Sequence, residues 1–186
     1  MRDGEDLATR TRRALSELGL SLATAADIDE GRALAAALLG EPVTSAAALH
    51  RIQARTACSS FVARDAAGAL QAAISIIPLT AAALPVMARG AFDGLEPPQR
   101  LAARPQDQVC AFYGWGMAGI GRRGRALAVT AAMTLQREVY GHVPFYARAA
   151  SDEGERILHA RMGARPLPGS GGLVWAPPHA PVRKVA

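Results

Sequence analysis

Apolar positions along the chain follow two rhythms, and the switches between them outline the elements. Residues three and four apart, which share one helix face, recur over 7–18, 27–39, 46–54, 127–139 and 152–162. In the first run Leu7, Thr11, Ala14, Leu15 and Leu18 align, with Arg10, Arg12 and Arg13 on other faces and Gly19 as the stop. Gly40-Glu-Pro42 ends the second run, because proline lacks an N–H and clashes with the preceding turn. Leu49 and Ile52 carry the third. Leu127, Ala131, Leu135 and Val139 form the face of the fourth, which stops near Gly141. Ser151 suits an N-cap for the fifth, with Asp152 and Glu153 complementing the dipole. That run carries Ile157, Leu158 and Met162 and closes at Gly163.

Strand-like segments fall at 20–24, 61–64, 69–77, 109–118, 143–149, 165–167 and 173–175. The turn Asp65-Ala-Ala-Gly68 makes 61–64 and 69–77 an antiparallel hairpin closed by Pro78. Residues 79–107 are broken by Pro85, Gly90, Gly94, Pro97, Pro98 and Pro105. So long a connection inside a compact domain is functional or mobile, and substrate contacts are expected there. The order of elements predicts an α+β fold with a mixed sheet. The expected organisation is a helical extension over 1–19, one domain over 20–176 and a flexible basic tail over 177–186.

Composition refines this picture. A length of 186 residues suits one domain with a real core. Half the residues are apolar and only 5% aromatic, so the core is expected to be small and aliphatic. The net charge of +5 is carried by arginines, with Lys184 the single lysine. Such a balance favours anionic ligands, although arginine in place of lysine also follows from GC-rich coding. Aromatics are sparse and not interleaved with the arginines, so no nucleic-acid stacking platform is expected. Cys58 and Cys110 lack metal or redox spacing and read as small hydrophobes in a reducing compartment. His50 and His142 have no partner at ligand spacing, so no metal is expected. No apolar run is long enough for a membrane span. Asp3, Glu5 and Asp6 set the arginine-rich start apart from a transit peptide. The expectation is a cytoplasmic protein with no membrane partner.

The strongest chemical signal is Ile120-Gly-Arg-Arg-Gly-Arg-Ala-Leu-Ala128, a basic, glycine-containing turn leading into a helix expected to begin near Arg125. Glycines let a backbone approach an anion, and the helix start aims N–H groups at it. Arg122, Arg123 and Arg125 add positive charge. A competing signal, Gly114-Trp-Gly116-Met-Ala-Gly119, fits the dinucleotide pattern, with Glu138 about twenty residues on. Its context differs, since no helix opens within it and Glu138 falls inside a predicted helix.

Residues 109–175 resemble the second half of the GNAT-type N-acetyltransferases. Arg123-Gly-Arg-Ala126-Leu-Ala128 is similar to that superfamily's phosphate signature at its first and last positions, with Ala126 where glycine is usual. His159-Ala-Arg-Met-Gly163-Ala resembles its Tyr-x-x-x-Gly-Phe helix end, with His159 for tyrosine and Ala164 for phenylalanine. The first half matches more loosely, and the resemblance covers about 20–176. It implies a GNAT-like mixed, mostly antiparallel sheet flanked by helices, with an extra N-terminal helix. It also implies an acyl-CoA co-substrate, most simply acetyl-CoA. Arg122, Arg123, Gly124, Arg125, Ala126, Leu127 and Ala128 would hold its pyrophosphate, and backbone N–H groups near Met117 and Ala118 would stabilise the oxyanion.

By the same resemblance, His159 would protonate the departing thiolate; Tyr113, Tyr140 and Tyr146 are the alternative donors. Glu96 is the candidate base. The acceptor would be a small-molecule amine or a protein or peptide amine, and homodimers are common among such proteins. The departures at Ala126, His159 and Ala164 leave a second reading open: a catalytically silent acyl-CoA-binding or regulatory module.

Overall fold

The computed structural model describes residues 5–40 and 42–179. The predicted tail over 177–186 lies mostly outside them. A seven-stranded sheet runs in the order β1-β2-β3-β4-β5-β7-β6. Its strands are β1 (Ser21–Leu22), β2 (Ser60–Arg64), β3 (Leu70–Leu79), β4 (Ala111–Gly119), β5 (Phe145–Arg148), β6 (Arg165–Pro166) and β7 (Leu173–Ala176). Every neighbouring pair is antiparallel except β4 and β5, which are parallel. Helices α1 (Leu7–Ser16), α2 (Ala25–Leu39), α3 (Ala46–Thr56), α4 (Leu84–Ala88), α5 (Gly121–Thr134) and α6 (Asp152–Ala160) flank it. This is the mixed, mostly antiparallel architecture that the GNAT resemblance implies.

The core is largely small and aliphatic, as the composition suggests, but all four phenylalanines are buried in it. On one face Ala8 and Leu15 of α1 and Ala128 and Ala131 of α5 pack on Phe61, Ile74 and Phe112. On the other, Ile28 of α2 and Leu49 of α3 pack over Val62. The first helix shares this core: Thr11 is fully buried, and its hydroxyl meets the Tyr140 hydroxyl at 2.8 Å. Tyr140 in turn stacks on Phe112 with ring centres 4.4 Å apart.

Three expectations need correction. Pro78 does not close β3 but lies inside it, opposite Phe112. Its carbonyl accepts from Ala103 on the flank where β2 has already ended, so its missing N–H costs no ladder bond. The segment 79–107 is less irregular than expected, holding α4 and two short 3-10 turns, Ala81–Ala83 and Gln99–Leu101. Finally, α5 begins at Gly121 rather than near Arg125. Its register continues past Thr134 through a wider π-type turn, Leu135–Val139.

A capping box opens α2, with Thr24 and Asp27 exchanging side-chain and backbone hydrogen bonds. Arg64, at the end of β2, donates to both Asp27 and Glu30 and ties the helix to the sheet. The Arg64 bond, followed by those from Thr24, pulls the Asp27 carboxyl down to about 2. A depressed carboxylate stabilises the fold above its ordinary range and loses that contribution as pH falls. Wild-type Tm is therefore expected to drop between about pH 4 and pH 2, and Asp27→Asn to flatten that part of the profile. An unchanged acid profile in the variant would remove Asp27 from the account.

Candidate functional site

The site grows out of the one parallel pair. β4 and β5 are joined at Phe112–Phe145, Tyr113–Tyr146 and Gly114–Ala147, and no further. Immediately beyond, the register of β4 against β3 slips, with Ile76 opposite Gly114 and Ser75 opposite Gly116. Trp115 is thus the extra residue of a β-bulge, which bends its strand. From there to Gly119 the β5-side edge of β4 is uncovered, while β5 ends at Arg148. Ile120 donates its N–H to the Gln71 carbonyl on the β3 side. Since donors alternate along a strand, Met117 and Gly119 aim theirs into the open notch. Gly116 is exposed beside them.

Both parallel strands feed helices that start at the same end of the sheet, and the two starts differ. α6 is capped by Ser151, whose hydroxyl accepts from Gly154, and carries Asp152, Glu153 and Glu155 in its first turn. α5 follows β4 after the single residue Ile120, which makes no side-chain cap, and has no acidic residue in its first turn. Its first backbone N–H groups therefore have no protein acceptor within the helix, and arginines stand where the dipole prefers acids. Arg122, Arg123 and Arg125 are exposed and have no side-chain partner among the described residues.

Two residues of the predicted phosphate site have another orientation. Gly124 is buried, and a Cβ there would lie 2.2 Å from the Gln71 carbonyl oxygen. Ala128 is buried in the core, whereas Ala126 is exposed and Leu127 half-buried. Gly121, at φ +61°, turns the chain from strand into helix. The Gly114–Gly119 stretch lies wholly within β4, so no helix opens in it as a dinucleotide fingerprint requires.

A cavity of about 410 Å³ lies on the α2 face of the sheet and reaches the notch through Gly116, Met117, Ala118 and Ala149. Tyr113 and Trp115 form part of its wall. Burial pushes the Tyr113 phenol up to about 12, so it stays protonated at neutral pH. The Trp115 indole donates to the Gly94 carbonyl at 2.6 Å, which presents the ring as wall. Segment 93–95, from the irregular region, forms the lip of this cavity. There Asp93 caps its own turn, accepting from the N–H groups of Leu95 and Glu96 at 2.8 and 3.1 Å.

Arg148, which the sequence did not single out, locks this wall. It donates to the carbonyls of Phe92, Gly90 and Ser170, joining β5 to two distant turns. Glu96 instead pairs with Arg51 at 3.1 Å. Ser45 and then Arg51 hold its carboxyl below the ordinary range, which makes it a poor base. His159 sits late in α6 with Nδ1 2.8 Å from the Ala164 carbonyl, and it is not among the cavity residues. Tyr140 is buried against Thr11 and Cys58. Tyr146 is half-buried on β5, opposite Tyr113 and Trp175. No group of three potential metal ligands occurs among the described residues. No helix among them is long and apolar enough to cross a membrane.

No protein-family model matches the chain, and no curated protein matches it. Among solved structures the chain is similar to GphF, a GNAT-like decarboxylase in complex with isobutyryl-CoA. Identity is 18% and the TM-score 0.46, over 84% of this chain and 96% of that one.

Proposed function

We propose that this protein is an acyl-CoA-dependent N-acyltransferase, moving acetyl from acetyl-CoA to an amine held in the same complex. The observation that carries this reading is the uncapped, arginine-flanked start of α5 beside the bare edge of β4. Ligands of open sheets settle at the carboxyl ends of adjacent parallel strands, and a helix start offers N–H donors to a diphosphate. The Met117 N–H, one edge position away, suits the thioester carbonyl and the negative charge that develops on it.

In this reading the amine nitrogen attacks the carbonyl carbon and the C–S bond breaks, leaving its electron pair on sulfur. Nitrogen loses the proton that sulfur gains, so the reaction balances. Tyr113, protonated and on the cavity wall, is the donor better placed than His159, whose Nδ1 is engaged by Ala164. Asp93 at the lip keeps one carboxylate oxygen free of hydrogen bonds, and in this reading it takes the amine proton through water. Holding both reactants together supplies much of the rate.

Calorimetry with acetyl-CoA, CoA and acetylated pantetheine tests the cofactor half. Binding in the micromolar range is expected for the two nucleotides, with the pantetheine, which has no diphosphate, far weaker. Absence of acetyl-CoA binding would overturn the reading. Release of free thiol in the presence of amines tests transfer, and tight binding without release would favour the silent module.

A further inference from the structure

The cavity beneath α2 exists because its floor is built from small side chains. Two cross-strand rows face it: Ser60, Ser75 and Gly116 in one, and Val62, Ala73 and Ala118 in the other. Overhead, Gly31 lets α2 approach until a Cβ there would be 3.4 Å from that of Ala73, while Ala35 lines the roof further along. Sheet and helix are thus held together with little to fill the space between them. That space is walled by an indole.

Among the described residues, the charged groups along it are engaged by the protein, save one carboxylate oxygen of Asp93. Asp27 is paired with Arg64, and Asp93 accepts two backbone N–H groups. Arg32 donates to the Thr44 carbonyl, and Arg148 to three carbonyls. Even the Ser60 and Ser75 hydroxyls face each other, at 3.3 Å. Leu39 and Leu95, both 42% exposed, make the lip apolar. An anion entering here would lose its hydration without a free counter-charge, and a polycation would find only the single carboxylate of Asp93, enough for one ammonium group. An apolar body loses nothing, and a volume near 400 Å³ is that of a small-molecule site.

We infer that the acceptor is a small primary amine on an apolar body, an arylalkylamine or branched alkylamine, seated between α2 and the Ser60–Ser75–Gly116 row with its nitrogen toward the β4 edge. This rests on the acyltransferase reading for its role as acceptor. The cavity's taste for an apolar amine is measurable without it.

The test has two arms. Titration of the protein with 2-phenylethylamine, without any CoA, is read from Trp115 fluorescence, with Trp115→Phe as the control for Trp175. Saturable change is expected, weakened roughly tenfold or more in Ala35→Phe, which puts a ring into the roof. Gly116→Val is the second variant: its Cβ meets nothing within 4 Å, so the strand tolerates it while the cavity shrinks. In the other arm, thiol release from acetyl-CoA compares 2-phenylethylamine and isoamylamine with spermidine and a lysine peptide. The apolar amines are expected to lead by about tenfold or more in kcat/KM, and both variants to raise the KM for amine more than that for acetyl-CoA. Transfer to spermidine or the peptide with neither variant affecting it would overturn the inference and leave the acyltransferase standing. Absence of acetyl-CoA binding with intact amine titration would do the reverse.

Discussion

Gly124→Ala is expected to lower the free energy of unfolding by about 2–3 kcal/mol, a fall in Tm of roughly 5–10 °C at this chain length. The added methyl would stand 2.2 Å from the Gln71 carbonyl oxygen, which already accepts the Ile120 N–H at 2.8 Å. Gln71 has little room to retreat, because it stands in β3 directly beyond the last β3–β4 pair, Ala72–Gly119, and holds Ile120. The reciprocal contact is as tight: a Cβ on Gly119 would lie 2.4 Å from the carbonyl carbon of Gly124. These two glycines therefore serve the crossing of strand and helix. Gly121→Ala is the internal comparison, with open space around it but φ at +61°, and about 1 kcal/mol is expected there. Thermal melts of the pair give the answer. Equal losses would mean that α5 does not sit as closely on β3 as described.

The second large effect is expected from Arg122→Glu/Arg123→Glu, with acetyl-CoA affinity falling roughly a hundredfold, about tenfold for each lost charge-assisted contact. Both side chains are exposed and without partners among the described residues, so Tm should hold within a degree or two. The effect should also shrink as salt rises, because exposed charges are screened over about 10 Å at 0.1 M. Calorimetry at two ionic strengths reads both features. Unchanged affinity would move the diphosphate away from this helix start, whatever else the cavity binds.

Much of the fold was legible because local chemistry and packing agreed. Ser151 caps the helix that follows it, and Leu127, Ala131, Leu135 and Val139 mark the packed face of the α5 segment, whereas Thr24, expected at the end of a strand, instead caps α2. The start of α5 was misplaced because Gly121 and Gly124 look like loop residues. Only the contact with Gln71 reveals that one of them is a helix residue pressed on a strand. Pro78 misled for a similar reason, since a sequence does not disclose where a neighbouring strand has ended.

The site itself was half legible. The basic character of 122–125 could be read from residue types and order, whereas Met117 and Ala118 were singled out only through the resemblance. The bulge at Trp115, the insertion of β7 between β5 and β6, and the clamp made by Arg148 depend on pairings between distant segments. Arginine on a short strand gives no hint that it will hold three carbonyls. The cavity is harder still, because a row such as Ser60, Ser75 and Gly116 exists only once three strands are in register.

The brevity of the β4–β5 ladder bears on how the molecule assembles. β2 and β3 can zip from a short turn, and β4 joins them as an antiparallel partner, whereas β5 must find β4 across the whole of α5. Closing that long loop brings only the three pairs from Phe112–Phe145 to Gly114–Ala147. The groove between the start of α5 and β5 is complete only when these three pairs have formed, so its assembly is expected to depend on the most distant contacts of the sheet.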